Sequence, residues 1–302
     1  MRPLKLAVIF DQPINVGGGY QQSLNSALHV SKLHKDTAEI YYFTTLKANV
    51  RALSMHGIDA IYVDISLFSK LFACIRSKYI QIFHLSFLRR FAPQSYFEKY
   101  LLNHSIDLVY FLSPCSLARH LDQLNYIITI WDICHVDEPE FPEIRRNHEF
   151  EIREINYKSL VSRATAVIVD SIYSKNNISL RYGIQLQKIH VLPFQPSLSI
   201  LNNTNNRSDV FNIASMHDIT VPYVFYPAQF WSHKNHIYLL EALRCLEDIH
   251  GITIGAIFCG SDKGNRSYIE SCTNKLNLQD RVRFLGFVGD IELAELYRQS
   301  LA

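Results

Sequence analysis

Residues 223–243 read YVFYPAQFWSHKNHIYLLEAL, and the fold follows from how this stretch is read. Residues 223–226 form an apolar run of strand length, and 227–233 a polar loop that opens on a proline. A helix then begins near Lys234 and Asn235, because Ile237, Leu239, Leu240 and Leu243 fall on one face at helical spacing. A strand that feeds a helix through a short loop presents loop amides and the unsatisfied N–H groups of the helix start to an anion. Lys234 adds a full positive charge there. The same spacing also describes an ordinary strand–helix unit with a surface lysine, so spacing alone leaves both readings open.

A second stretch narrows the choice: FCGSD at 258–262, followed by LNLQDRVRFLGFVGDIELAELY at 276–297. Taken in order with the first, it resembles the start of the second domain of the glycosyltransferase family 4 (group 1) enzymes. The resemblance implies an α/β chain of two Rossmann-like domains in the GT-B architecture. The expected division is 1–197 for an acceptor-side domain, 198–222 for a Ser-, Asn- and Asp-rich linker, and 223–302 for a nucleotide-sugar domain. It also implies that Lys234 and Asn235 face the donor diphosphate. Gln229 stands where such enzymes usually carry an arginine, which leaves most of the phosphate role to Lys234.

Beyond the corner the pattern predicts a helix over 235–249, a strand over 252–259, a helix over 265–276, a strand over 281–285 and a helix over 290–299. In the strand order 3-2-1-4-5-6 these units build the first half of a dinucleotide-type domain. The second domain is therefore expected to be incomplete, with strand 223–226 left as an apolar, unpaired edge. The spaced glutamates that hold donor ribose and sugar in similar enzymes have no counterpart here.

In the first domain, residues 4–10 form a continuous apolar run, the mark of a strand buried on both faces of a parallel sheet. Gly17, Gly18 and Gly19 follow, then a helix predicted over 21–34. Three glycines describe a tight turn or a loop that a ligand approaches closely; the resemblance implies the second, a loop facing the donor. Further strands are expected at 39–44, 60–63, 108–112, 126–130 and 166–169, in the alternation of a doubly wound domain. Ser171 is an expected N-cap.

The stretch TIWDICHVDEPEFPE at 129–143 is the richest in chemistry. Strand 126–130 delivers Asp132 and His135 at its C-terminal end, where α/β sheets place ligands. Similar enzymes end this strand with a histidine and an aspartate. Here Trp131 takes the histidine's place and His135 comes later. His135 is a candidate catalytic residue or a packing histidine, and Asp132 either binds a sugar hydroxyl or caps the next turn. Asp137, Glu138, Glu140 and Glu143, interrupted by Pro139 and Pro142, read as a solvated loop.

Composition removes other classes. With 48% hydrophobic and 19% charged residues, the 302-residue chain reads as a core-forming protein of two domains. A net charge of +2 gives no argument for a nucleic acid partner. The six cysteines show no metal or disulfide spacing. The first apolar run is too short for a secretory leader and no apolar run reaches spanning length, so a cytoplasmic location is expected. Residues 66–103 carry Lys70, Arg76, Lys78, Arg89, Arg90 and Lys99 against Glu98 alone. That pattern fits either core-packed helices with solvated cations or a peripheral contact with anionic membrane.

The resemblance therefore implies a retaining glycosyltransferase. It would move a sugar from a nucleotide-diphosphate donor to a glycan or lipid-linked acceptor in polysaccharide or lipopolysaccharide assembly, without a metal. The alternatives are a truncated, inactive chain that serves at most as a binding partner, and a nucleotide-sugar epimerase of the same architecture.

Overall fold

The computed structural model describes residues 2–13, 17–69, 94–196 and 213–302. The chain forms two compact units: Met1–Pro139 with His148–Gln195, and Glu140–Asn147 with Pro196–Ala302.

The first unit is built on a seven-stranded sheet of order β3-β2-β1-β4-β5-β6-β7, with every pair parallel. The strands are β1 (Leu4–Ile9), β2 (Ala38–Thr44), β3 (Ala60–Tyr62), β4 (Leu108–Phe111), β5 (Asn125–Thr129), β6 (Ala166–Val169) and β7 (Ile189–Val191). The apolar run in β1 makes it central, and alternation sends its side chains both ways. Ala7 and Ile9 join Phe43, Phe97, Phe111 and Ile128 on one face, and Val8 and Phe10 join Tyr20, Leu24 and Leu53 on the other. The order reverses at β1, between β2 and β4, which is the switch point where such sheets place ligands. The longer helices are α1 (Gly17–Val30), α2 (Lys47–Ser54), α3 (Tyr96–Asn103), α4 (Glu149–Arg163) and α5 (Ile172–Tyr182). Ser171 caps α5 as expected, accepting from the Ser174 amide at 3.1 Å.

Two local expectations change. Helix α1 starts at Gly17 and ends at Val30, so the three glycines form its first turn and not a separate loop. The strand β7 is not among the expected strands; three residues carry too little pattern to announce one. Of the basic stretch 66–103, residues 70–93 lie outside the described residues, and with them Lys70, Arg76, Lys78, Arg89 and Arg90. Of the described remainder, Leu67 and Phe68 are exposed, whereas α3 packs into the core. Phe97 and Leu101 of α3 are buried, and Glu98 is fully buried. The Glu98 carboxylate accepts from the Asp122, Gln123 and Leu124 amides at 2.7, 2.6 and 3.1 Å. Among the described residues no helix is long and apolar enough to cross a membrane.

The second unit holds a parallel sheet of order β10-β9-β8, formed by β8 (Tyr223–Pro227), β9 (Gly255–Cys259) and β10 (Val282–Phe284). Its longer helices are α6 (His236–His250), α7 (Arg266–Lys275) and α8 (Asp290–Gln299). Phe230, Leu240, Phe258 and Ile269 pack on one face of the sheet, and Tyr223, Phe225, Ile257 and Leu296 on the other.

The free edge expected at 223–226 is a correction. Ser300 is extended after α8, and the chain runs back along β8. The Leu301 amide donates to the Tyr223 carbonyl and the Phe225 amide to the Ala302 carbonyl, each at 2.8 Å. Two other boundaries also differ from expectation. Residues 140–147, read as part of the first domain, belong to the second unit. Of the expected linker 198–222, residues 198–212 lie outside the described residues, while Ile213 and Ile219 are buried beside Leu296. Arg283 donates to the carbonyls of His217 at 2.8 Å and Asp218 at 2.7 Å, which fixes this segment to the sheet.

Candidate functional site

Several contacts anchor the loop between β8 and α6 to the rest of the second unit. Phe230 is fully buried and packs against the rings of His236 and Phe284. Its amide donates to the Ser261 carbonyl at 3.1 Å, which joins this loop to the one following β9. The two loops approach so closely at Gly260 that a Cβ would lie 2.6 Å from the Ala228 carbonyl oxygen. Tyr226 donates its hydroxyl to the Lys234 carbonyl at 3.0 Å.

Residues Ser232–Lys234 form a single tight turn, and Asn235 enters the left-handed region at φ 48°, ψ 47°. Asparagine tolerates that conformation better than other side-chain-bearing residues. No side chain caps α6, so amides of its first turn remain available. Lys234 is exposed, and its ammonium makes no ion pair with any described residue. An uncapped helix start beside an unneutralised cation suits an anion.

Gln229, which the resemblance places at the donor, is held by its neighbour in the loop. Its Oε1 accepts from the Trp231 indole at 3.0 Å. Trp231 in turn carries the Lys263 ammonium 5.4 Å from its ring centroid. Lys263 belongs to the loop after β9 and brings a second cation to the same end of the sheet. Sequence reasoning passed over it, although GSDKG at 260–264 marks a glycine-flanked cation at the C-terminal end of a parallel strand. Glu143 also corrects an expectation, since it is no solvated loop carboxylate. Its Oε1 lies 2.5 Å from His233 Nδ1 and accepts from the His233 amide at 3.2 Å. Burial opposes its ionisation, and the hydrogen bond from His233 overcomes this and holds its pKa below the usual carboxylate range.

In the first unit, Gly17 and Gly18 are exposed at the start of α1. Gly19 lies under the Trp131 ring, with two ring carbons only 2.5 and 2.7 Å from where a Cβ would be. Trp131 also lines a cavity of about 250 Å³ with Gln22, Ser26, His29, Thr129 and Phe194.

Asp132 and His135 are brought to one turn but into opposite environments. The Asp132 side chain is half exposed, bonds the Arg153 guanidinium at 2.5 Å and accepts from the Cys134 amide at 3.1 Å. That second bond closes a local turn leading into Cys134–Asp137, whose N-cap position, Ile133, makes no side-chain cap. Burial opposes its ionisation, and Arg153 more than offsets this, lowering the pKa.

His135 is fully buried between Phe150 and Tyr157, with Nε2 3.2 Å from Glu154, whose carboxylate also accepts from Tyr182 at 2.9 Å. Burial first, and the nearby Arg153 second, lower the His135 pKa below its ordinary 6.5. The unfolded chain then binds the proton more readily than the native one, and stability falls as pH drops below about 6.5. Chemical unfolding between pH 7.5 and 5 should show that loss. His135→Gln should be less stable at neutral pH and show a flatter dependence; an unchanged slope would mean that the histidine does not titrate with unfolding.

The model of the family "Glycosyl transferases group 1" matches residues 206–302. None of the curated proteins matches the chain in sequence. Among solved structures, Anabaena Alr3699/HepE in complex with UDP and glucose is similar at TM-score 0.64 and 15% identity, over 98% of this chain and 72% of that one. WaaG, a glycosyltransferase involved in lipopolysaccharide biosynthesis, is similar at TM-score 0.58 and 13% identity, over 98% and 73%. A putative UDP-N-acetylglucosamine 2-epimerase from Listeria monocytogenes is similar at TM-score 0.54 and 12% identity, over 99% and 73%. At these identities the neighbours speak for the fold alone, and they include transferases and an epimerase together. The chain has the GT-B fold, and its residues 206–302 match the domain of the glycosyl transferases group 1 family.

Proposed function

We propose that this protein is a retaining glycosyltransferase. It takes a sugar from a nucleoside-diphosphate donor, with UDP as the first nucleotide to test, and passes it to a glycan or lipid-linked acceptor in polysaccharide or lipopolysaccharide assembly. The observation that carries the reading is the exposed Lys234, which makes no ion pair with any described residue, at the uncapped start of α6. Lys234 and the first-turn amides stabilise the charge that develops on the departing diphosphate, the step at which fixed dipoles and cations help most. Lys263, held over Trp231, adds to the local positive potential. This grip is made by protein groups alone.

On the first unit the exposed Gly17 and Gly18 give close backbone access, and the half-exposed Asp132 is the carboxylate offered to a sugar hydroxyl. His135 acts behind it, holding the turn that carries Asp132 through its bond to Glu154. HepE was solved with UDP-glucose and with UDP and glucose, and we carry that donor class to this chain as part of the proposal.

Calorimetry of the whole chain with UDP, GDP and UDP-glucose tests the reading. One equivalent of a nucleoside diphosphate should bind, and UDP should be released from UDP-glucose when a sugar acceptor is added. No binding at millimolar nucleotide would leave only the non-catalytic alternative. Interconversion of the sugar without release of UDP would favour the epimerase.

A further inference from the structure

The segment Glu140–Asn147 lies between β5 and β6 in sequence, yet it packs with the second unit. It contains one helical turn, Pro142–Arg145, with Ile144 buried. We propose that this segment is a clasp on the phosphate corner and that Glu143 is a positioning residue, holding in place the turn that carries Lys234. The inference rests on the corner being the diphosphate site.

Three contacts support it. The Glu143 carboxylate takes both N–H groups that His233 can offer it, the backbone amide at 3.2 Å and the ring nitrogen at 2.5 Å. The Phe141 ring meets the His233 ring edge-on, with centroids 5.9 Å apart. Farther along, a guanidinium nitrogen of Arg146 lies 3.2 Å from where a Cβ of Gly264 would stand. The segment therefore touches the loop after β8 and the loop after β9, the two that form the corner.

The turn needs such support. Among the described residues, the backbone of Ser232–Lys234 is closed by bonds from Lys234 to Trp231 at 3.2 Å and from Asn235 to Ser232 at 3.1 Å, with the Tyr226 hydroxyl on the Lys234 carbonyl at 3.0 Å. A single turn of this kind is weakly ordered by itself. Any disorder left in it would have to be removed when a ligand binds, at a cost to affinity. Glu143 removes it beforehand. A bare carboxylate near a diphosphate would repel it, but this side chain is only 10% exposed and is turned onto His233.

The test is UDP titration of the full chain as wild type, Glu143→Ala, Glu143→Gln, Lys234→Met and the Glu143→Ala/Lys234→Met double variant, with folding checked by circular dichroism. Glu143→Ala should weaken UDP binding by about fivefold to tenfold, the scale of ordering one or two side chains on binding. Glu143→Gln keeps an acceptor for the His233 amide and should stay within about twofold of wild type. In the Lys234→Met background, Glu143→Ala should cost less than about twofold, because Glu143 acts through Lys234. Wild-type affinity in Glu143→Ala, or full multiplication of the two losses, would overturn the positioning role while leaving the corner as the site. A wild-type chain that binds no UDP would overturn the corner and the clasp together.

Discussion

Lys234→Met should weaken UDP binding by about 10- to 100-fold and leave the unfolding midpoint of the free protein unchanged. The size follows from removing one charge-assisted hydrogen bond to phosphate, worth about 1.5–3 kcal/mol. The midpoint holds because Lys234 is exposed and makes no ion pair with any described residue. Methionine keeps the length and apolar reach of the stem, so packing against the turn survives. Calorimetry at two salt concentrations is the measurement. The wild-type affinity should fall with salt, and the variant's dependence should be shallower. Equal affinities for the two proteins would place the diphosphate elsewhere.

Gly260→Ala should be the most damaging single change in the second unit, destabilising it by about 3–5 kcal/mol. Gly260 sits at φ +142°, and an added Cβ would meet the Ala228 carbonyl oxygen at 2.6 Å, its carbon at 2.8 Å and Gln229 Cα at 2.9 Å. All three are backbone atoms, so no side chain can swing away, and relief requires parting the two corner loops. The estimate combines a strained backbone region with a forced steric insertion, each about 1–3 kcal/mol. Gly251 makes the control: its φ is +63° with open space around it. Gly251→Ala should cost only about 1–2 kcal/mol, the penalty of the left-handed conformation alone. Urea unfolding of both variants separates the cases, and similar costs would show that the Gly260 approach is looser than its geometry implies. Because the same loops carry Lys234 and Lys263, Gly260→Ala should also lose UDP binding.

Several elements could be read from local pattern because their causes are local. The apolar runs in β1 and β8 announce buried parallel strands, and the spacing of Ile237, Leu239, Leu240 and Leu243 announces α6. Ser171 announces its cap through the chemistry of one side chain. Where pattern misled, a partner distant in sequence had intervened. Gly17–Gly19 look like an open loop until Trp131 is found resting on Gly19, which makes the last glycine a packing requirement. Glu98 looks like one acid among cations until it is found buried against the amides of Asp122, Gln123 and Leu124. Glu143 looks solvated until His233, 90 residues on, comes to its carboxylate.

The amino-acid order by itself determined the alternation of strands and helices, the two cores, and the position of the cationic corner at Lys234. These rest on periodicity and on residue types within one turn or one strand, which act wherever the chain goes next. Only the tertiary structure decided that residues 140–147 leave the first unit to brace that corner, that Leu301 and Ala302 pair with β8, and that His135 is enclosed while Asp132 stays half exposed. Each of those depends on which distant groups meet. A buried carboxylate, an imidazole or a strand edge takes its environment from partners that local pattern does not specify.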